Sequence, residues 1–279
     1  MDTSLDEIQC LQEEEAMANP RLVLITFDVD GTLIRSIGDK ANHLHKRAFA
    51  HAFLEVFGIS GNCDVLPCHG KTDQMIILDS LEYYGIPRPR VQAKMKEVMV
   101  SMVNYFRENR RDIGKGLELL PGVRNLLETL SSHPDVVFGL VTGNLVEIGW
   151  MKMEGLGVRH LFTRPNFGGF GSDHWNRGEL VNLAARRASK SFPGGFKLRA
   201  HVGDTPADVR AAHFGQALAI GVCTGVFSNN DLESSGRECR AIPPFPTIVF
   251  PNLANNNNFL CAVGLCAFKQ NQTQICPNF

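Results

Sequence analysis

The chain predicts an α/β fold, a Rossmann-like parallel sheet core with an all-helical cap inserted into it, and three observations carry that prediction. Short apolar runs bounded by turn residues alternate with amphipathic helical patterns, as repeated βαβ units require. Polar residues collect just after several of those runs, where open α/β sheets place their ligands. One long stretch between the first run and the rest shows helical periodicity only.

The first run, Leu22-Val23-Leu24-Ile25-Thr26-Phe27, reads as a buried strand. It is followed by Asp28-Val29-Asp30-Gly31-Thr32, two carboxylates two residues apart and a glycine that lets the chain turn away. Residues 36–118 then read as helices: Leu44 to Phe57 closed by Gly58, Ile76 to Tyr84 closed by Gly85, and a long one from Val91 to Phe106. Sheet-and-helix alternation resumes at Leu119-Leu120-Pro121-Gly122. Val123, Leu126, Leu127 and Leu130 mark a helix, Val136 to Val141 a strand, and Val146 to Leu156 another helix. An amphipathic stretch from Arg177 to Lys190 leads to three further strand-like runs, Leu198 to Gly203, Ala217 to Val222 and Thr247 to Phe250. The expected division is a disordered lead-in at 1–20, a core from 21–35 and 119–253, a cap at 36–118, and an appended tail at 254–279. Gly168-Gly169-Phe170-Gly171 is read as a loop near Arg177, not a dinucleotide fingerprint, because no strand precedes it.

With 44% hydrophobic and 20% charged residues in 279, the composition is that of a soluble globular protein. A net charge of −1 gives no electrostatic reason to bind nucleic acid or an acidic membrane surface. The eight cysteines form no Cys-x-x-Cys pair and the opening residues carry no secretory pattern, so reduced thiols and a cytoplasmic location are expected. The terminal Cys276-Pro277-Asn278-Phe279 is a poor prenylation box, and Asn271-Gln272-Thr273 is a glycosylation triplet out of context. His43, His45 and His51 share a helix but lack companions for a metal set, and are read as surface or core histidines.

The chemistry lies at the strand ends. Asp28 and Asp30 follow the first strand. Thr142-Gly143-Asn144 follows the second and opens a helix, a corner able to present backbone N–H groups to an anion. Gly203-Asp204-Thr205-Pro206-Ala207-Asp208 adds two carboxylates, with Pro206 suited to the first turn of a helix. Four carboxylates and an anion-binding corner at one edge suit Mg²⁺ and a phosphate group, since the cation prefers oxygen ligands and would offset the anionic charge.

Asp-x-Asp-Gly-Thr, a strand-end Thr, a basic residue and Gly-Asp-x-x-x-Asp, in that order, resemble the haloacid dehalogenase superfamily, in its phosphoglycolate phosphatase-like branch. The resemblance covers about residues 21–253. It implies that Asp28 is the nucleophile and Asp30 the acid and base, the latter with a pKa raised by neighbouring anions. It implies that Asp28, the Asp30 carbonyl, Asp204 and Asp208 hold Mg²⁺ or its water, and that Thr142, Gly143 and Asn144 bind the phosphoryl oxygens. The family's usual Lys at the third motif is missing. Arg177, at a helix start, is the preferred substitute and Arg164 the competitor. The helical insertion matches the family's small cap, and His69-Gly70-Lys71-Thr72-Asp73 resembles its substrate loop, which makes Gly70 and Lys71 candidate substrate contacts. The implied activity is Mg²⁺-dependent hydrolysis of a small phosphorylated metabolite through an aspartyl-phosphate. A phosphomutase keeps the same residues, and a non-catalytic phosphate-binding or scaffolding protein is the alternative from another class. Neither a nucleic-acid nor a membrane partner is expected, and the oligomeric state is left open.

Overall fold

The computed structural model describes residues 21–238 and 246–266. The lead-in at 1–20, the Cys276 box and the Asn271 triplet lie outside the described residues.

The sheet is built on the first apolar run. All five residues of β1 (Val23–Phe27) are buried, as are the seven of β4 (Val136–Thr142). These apolar runs without alternation have helices on both faces, as an all-parallel sheet requires. With β5 (Gly168–Phe170), β6 (Leu198–Gly203), β7 (Leu218–Val222) and β8 (Thr247–Phe250), they form a six-stranded parallel sheet in the order β5-β4-β1-β6-β7-β8. The chain leaves β1 for β4 on one side and later returns to β6 on the other. That reversal of direction beside β1 is the switch point where such sheets open a crevice.

Helices α5 (Val123–Ser131), α6 (Val146–Gly155) and α10 (Asn256–Ala262) cover one face, and α7 (Arg177–Ser191), α8 (Pro206–Phe214) and α9 (Asn229–Glu238) the other. The insertion holds α1 (His43–Phe57), α2 (Asp73–Tyr83), α3 (Arg88–Ala93) and α4 (Met95–Glu108) around its own apolar centre, which includes Phe49, Phe53, Met102 and Phe106. Leu145 and Ile148 of the sheet domain join that centre, so the cap rests on the start of α6.

Five expectations change. The insertion is not purely helical, because β2 (Ile34–Ser36) and β3 (Leu117–Leu119) pair antiparallel where it leaves and rejoins the core. The long third helix is two helices, broken at Lys94, whose φ of −107° and ψ of 9° depart from helical values. Gly168–Phe170 is an edge strand and not a loop, which the absence of side chains on two of its three residues hid from periodicity. The region after Leu253 is partly core: Phe259 is 1% exposed and stacks on Phe27 at 6.0 Å. There Cys261 and Cys266, expected as reduced thiols, form a disulfide, their Cα atoms brought to 4.8 Å as the chain turns at Gly264.

Candidate active site

Three adjacent strands deliver the site. Leu140 of β4 and Val202 of β6 both lie opposite Phe27 of β1. Asp28 just past β1, Thr142 at the end of β4 and Asp204 just past β6 therefore meet along one edge, about 4.8 Å from strand to strand. They open onto a cavity of about 260 Å³ bounded by Asp28, Asp30, Thr142 and Arg177 from the core and by Lys46 and His69 from the cap.

Asp28 is buried, its N–H donating to the Val202 carbonyl at 2.9 Å. Burial pushes its carboxyl above the ordinary aspartate range, against the opposing pull of Arg177. Arg177 is the first residue of α7, whose start is capped by the Asn176 side chain accepting from the Gly178 N–H. Its guanidinium reaches Asp28 Oδ1 from Nη2 at 3.5 Å and Asp208 Oδ1 from Nη1. Arg164 is exposed on the surface.

Asp208 sits at the third position of α8 in a reciprocal cap: it accepts from the Thr205 N–H at 3.1 Å, while the Thr205 hydroxyl accepts from the Asp208 N–H. His201 Nε2 lies 3.4 Å from Asp208 Oδ1. Burial disfavours the Asp208 charge, but the Arg177 guanidinium, His201 and Thr205 outweigh it and hold the carboxyl well below the usual range. Asp204 has the opposite surroundings. Burial, then the charges of Asp208 and Asp28, push it up to about 8. The Thr32 hydroxyl donates to it at 3.3 Å.

One family model, described as haloacid dehalogenase-like hydrolase, matches residues 22–214. This chain belongs to the haloacid dehalogenase-like hydrolases. A phosphoglycolate phosphatase of Haemophilus influenzae is 25% identical over 232 residues, 78% of this chain and 92% of the relative. Two solved structures share the fold. A predicted phosphoglycolate phosphatase from Haemophilus somnus has a TM-score of 0.55 at 20% identity, over 86% of this chain and 98% of its own. A β-phosphoglucomutase from Clostridium difficile has a TM-score of 0.54 at 15% identity, over 87% and 96%.

As a haloacid dehalogenase-like hydrolase, the chain carries an acidic cluster able to hold a metal ion. Oxygens of Asp28, Asp204 and Asp208 lie within 4.8 Å of one another. The donor set is all oxygen, which suits a hard divalent cation. Asp204 is the telling member, a carboxyl raised first by burial and then by the neighbouring charges of Asp208 and Asp28. A Cβ on Gly31 or on Gly225 would collide with its carboxylate, so both glycines leave the space it occupies. The three carboxylates of this cluster face one guanidinium, that of Arg177, a deficit one divalent ion would cancel.

Asp30 departs from expectation. Its carboxyl is pulled below the ordinary range, not raised: burial resists, but the adjacent Lys152 ammonium prevails. Lys152 Nζ donates to both Asp30 oxygens, at 2.9 and 2.7 Å, and Asn144 Nδ2 donates to Asp30 Oδ2 at 2.8 Å.

The corner at Thr142-Gly143-Asn144 is also more enclosed than expected. The Asn144 side chain donates to the Thr142 hydroxyl at 2.8 Å. The next two N–H groups are engaged, Leu145 by the Asp73 carboxylate at 2.9 Å and Val146 by the Ser172 hydroxyl at 3.1 Å. The Gly143 carbonyl accepts from the Asp73 N–H at 2.7 Å. A Cβ on Gly143 would strike the Lys71 carbonyl, so the cap loop lies directly on this turn. Gly70, with φ of +72°, brings that loop against Thr205 and Ala207. Gly70 and Lys71 both border the cavity, and the Lys71 ammonium pairs with Asp79 at 2.8 Å.

Lys152, His45, Asp73 and His201 were the residues that pattern reading missed as site members. Lys152 had a signal: a single cation among Ile148, Trp150, Met151 and Met153, four and eight positions on from Ile148 and Asn144 and so on one helical face. His45 and His201 had none, because a histidine in an apolar helix or strand reads alike whether or not it touches a site.

Proposed function

We propose that this chain is a Mg²⁺-dependent phosphomonoesterase that hydrolyses a small phosphorylated metabolite through an aspartyl-phosphate on Asp28. The observation that carries the reading is the arrangement around that carboxylate. Asp28 faces the cavity with Arg177 beside it, Asp204 and Asp208 within ligand distance of a shared ion, and Asp30 one turn of chain away. The phosphoglycolate phosphatase relative supports the substrate class, a short anionic ester that a cavity of about 260 Å³ admits.

Asp28 attacks phosphorus and the ester oxygen departs, so the phosphoryl group passes to the carboxylate. Arg177 draws charge from both nucleophile and phosphoryl group with a fixed fork of donors. The Thr142 hydroxyl and the Asn144 amide lie at the cavity wall to hold the transferred oxygens. Asp30 gives its proton to the leaving oxygen, then takes one from the water that cleaves the acyl phosphate. A bound phosphoryl dianion adds the negative charge that favours a proton on Asp30, while its cationic surroundings suit its second task as a base. Asp28, Asp204, Asp208 and the Asp30 carbonyl would hold the Mg²⁺, which supplies charge neutralisation and orientation. The cap, resting on the phosphate-binding turn, excludes water and selects the remainder of the substrate.

The test is phosphate release from a panel of phosphorylated metabolites with and without Mg²⁺. Turnover of phosphoglycolate or a sugar phosphate is expected, with Asp28→Asn lowering it by at least about 10³-fold. Isomerised sugar phosphate without released phosphate would assign a mutase instead, and turnover surviving Asp28→Asn would remove the mechanism.

A further inference from the structure

Lys152 is 1% exposed, on a helix whose neighbouring residues are apolar. Burying an ammonium is costly unless each donor is matched. Here every one is. One of its three hydrogens is shared by the two Asp30 oxygens, and Nζ also donates to Asn144 Oδ1 at 2.8 Å and to His45 Nδ1 at 3.3 Å. An ammonium has only donors, so His45 Nδ1 accepts and its ring proton sits on Nε2, which donates to Asp73 at 3.2 Å. Asn144 closes the arrangement, accepting from Lys152 with its oxygen and donating to Asp30 with its nitrogen. The Asp30 carboxyl is thus fixed in direction by two groups of the core, while side-chain access to the cavity remains.

We infer that Lys152 is a positioning residue, which acts through Asp30 by aiming its carboxyl at the oxygen that leaves or attacks phosphorus. This rests on the phosphatase reading above. Its consequence is a dependence on the leaving group. An alkoxide must be protonated as it departs, so an alkyl phosphate needs a correctly aimed Asp30. A nitrophenolate is stable without a proton, so an aryl ester needs it less.

The experiment compares Lys152→Met with the unaltered protein on 4-nitrophenyl phosphate and on the alkyl phosphate that the panel shows is turned over best. General acid–base contributions of about 10²-fold or more set the expected loss in kcat on the alkyl ester. The loss on the aryl ester should be at least about tenfold smaller, with KM for the alkyl ester little changed. In an Asp30→Ala background, adding Lys152→Met should cost nothing more on the alkyl ester, because the two residues act as one unit. Equal losses on both esters, or additive losses in the double variant, would overturn the inference and leave Lys152 as an ion pair that holds the fold. If the Met variant does not unfold cooperatively, Lys152→Gln is compared in its place, since it keeps hydrogen bonding and loses the charge. An unaltered protein that hydrolyses neither ester removes the phosphatase reading itself, and this inference with it, which is a different result from equal losses.

Discussion

Replacing Arg177 with Met takes away a guanidinium that touches both Asp28 and Asp208, and the cost in stability can be bounded. Asp208 is 2% exposed and would keep Thr205 and His201 as its hydrogen-bond partners, beside the carboxyls of Asp28 and Asp204. It can stay ionised beside an uncompensated charge, or it can take up a proton. The second route caps the loss. Protonating a carboxyl of ordinary value 3.8 at about pH 7 costs about 4.4 kcal/mol, at about 1.36 kcal/mol for each pH unit. Removing one partner of a buried ion pair costs about 3–5 kcal/mol, so a loss of about 3–4 kcal/mol is expected near neutrality. The cap falls to about 1.6 kcal/mol at about pH 5, so the loss must shrink in acid. The pH dependence arises in the variant. The pair in the unaltered protein, its Asp208 carboxyl held below the unfolded value of 3.8, is fully effective from about pH 5 to 7, whereas without Arg177 the buried carboxyl rises above that unfolded value and the variant loses stability as pH rises. Urea unfolding of both proteins in EDTA at the two pH values measures it, provided the slopes agree. A loss under about 1 kcal/mol at about pH 7, or one independent of pH, would show that Arg177 does not compensate Asp208.

Two further outcomes test the metal cluster. Gly225→Ala should raise the Mg²⁺ concentration needed for half-maximal turnover by about tenfold or more, because the new methyl displaces Asp204 while all carboxylates remain; an unchanged metal titration would exclude Asp204 as a ligand. In EDTA, the melting temperature should fall as pH rises from about 5 to 8, because a carboxyl raised to about 8 holds a proton when folded that the unfolded chain has already lost. Saturating Mg²⁺ should flatten that slope by replacing the proton, and a slope unaffected by Mg²⁺ would place the ion elsewhere.

The core was legible because its signals are local. Apolar runs of sheet length, glycines at turns and Pro206 with Asp208 at a helix start each follow from nearest-neighbour chemistry, and the structure has the reciprocal Thr205–Asp208 cap that such spacing allows. The gathering of polar residues at the ends of β1, β4 and β6 was legible for the same reason. What stayed hidden depends on distant pairing. Gly168–Phe170 is a strand because β4 lies beside it, not because its residues favour one. Phe259 belongs to the core because Phe27 offers it a face, and nothing near the Asn run announces that. The surroundings of Asp30 were misjudged on the same ground, since Lys152 and His45 are remote in sequence, the first brought to it by α6 and the second by the cap stacked on that helix.

That misjudgement bears on how the two aspartates divide their work. By environment alone, Asp28 is the carboxyl with the raised pKa and Asp30 the one with the lowered pKa, the reverse of what a nucleophile and a proton donor need. Each shift has a cause that the reaction's own participants would remove. Asp28 is raised by burial and by Asp208 close by, and a divalent cation shared with Asp204 and Asp208 opposes both, leaving Asp28 ionised and able to attack. Asp30 is lowered foremost by the Lys152 ammonium, and a phosphoryl dianion arriving in the cavity would set its charge against that ammonium and draw a proton onto Asp30. On the proposed mechanism, bound ion and substrate would therefore each oppose one of these shifts, the ion lowering Asp28 and the phosphoryl group raising Asp30. Metal and phosphate would then prepare the first step together, which gives the paired spacing of Asp28 and Asp30 its chemical sense on that mechanism.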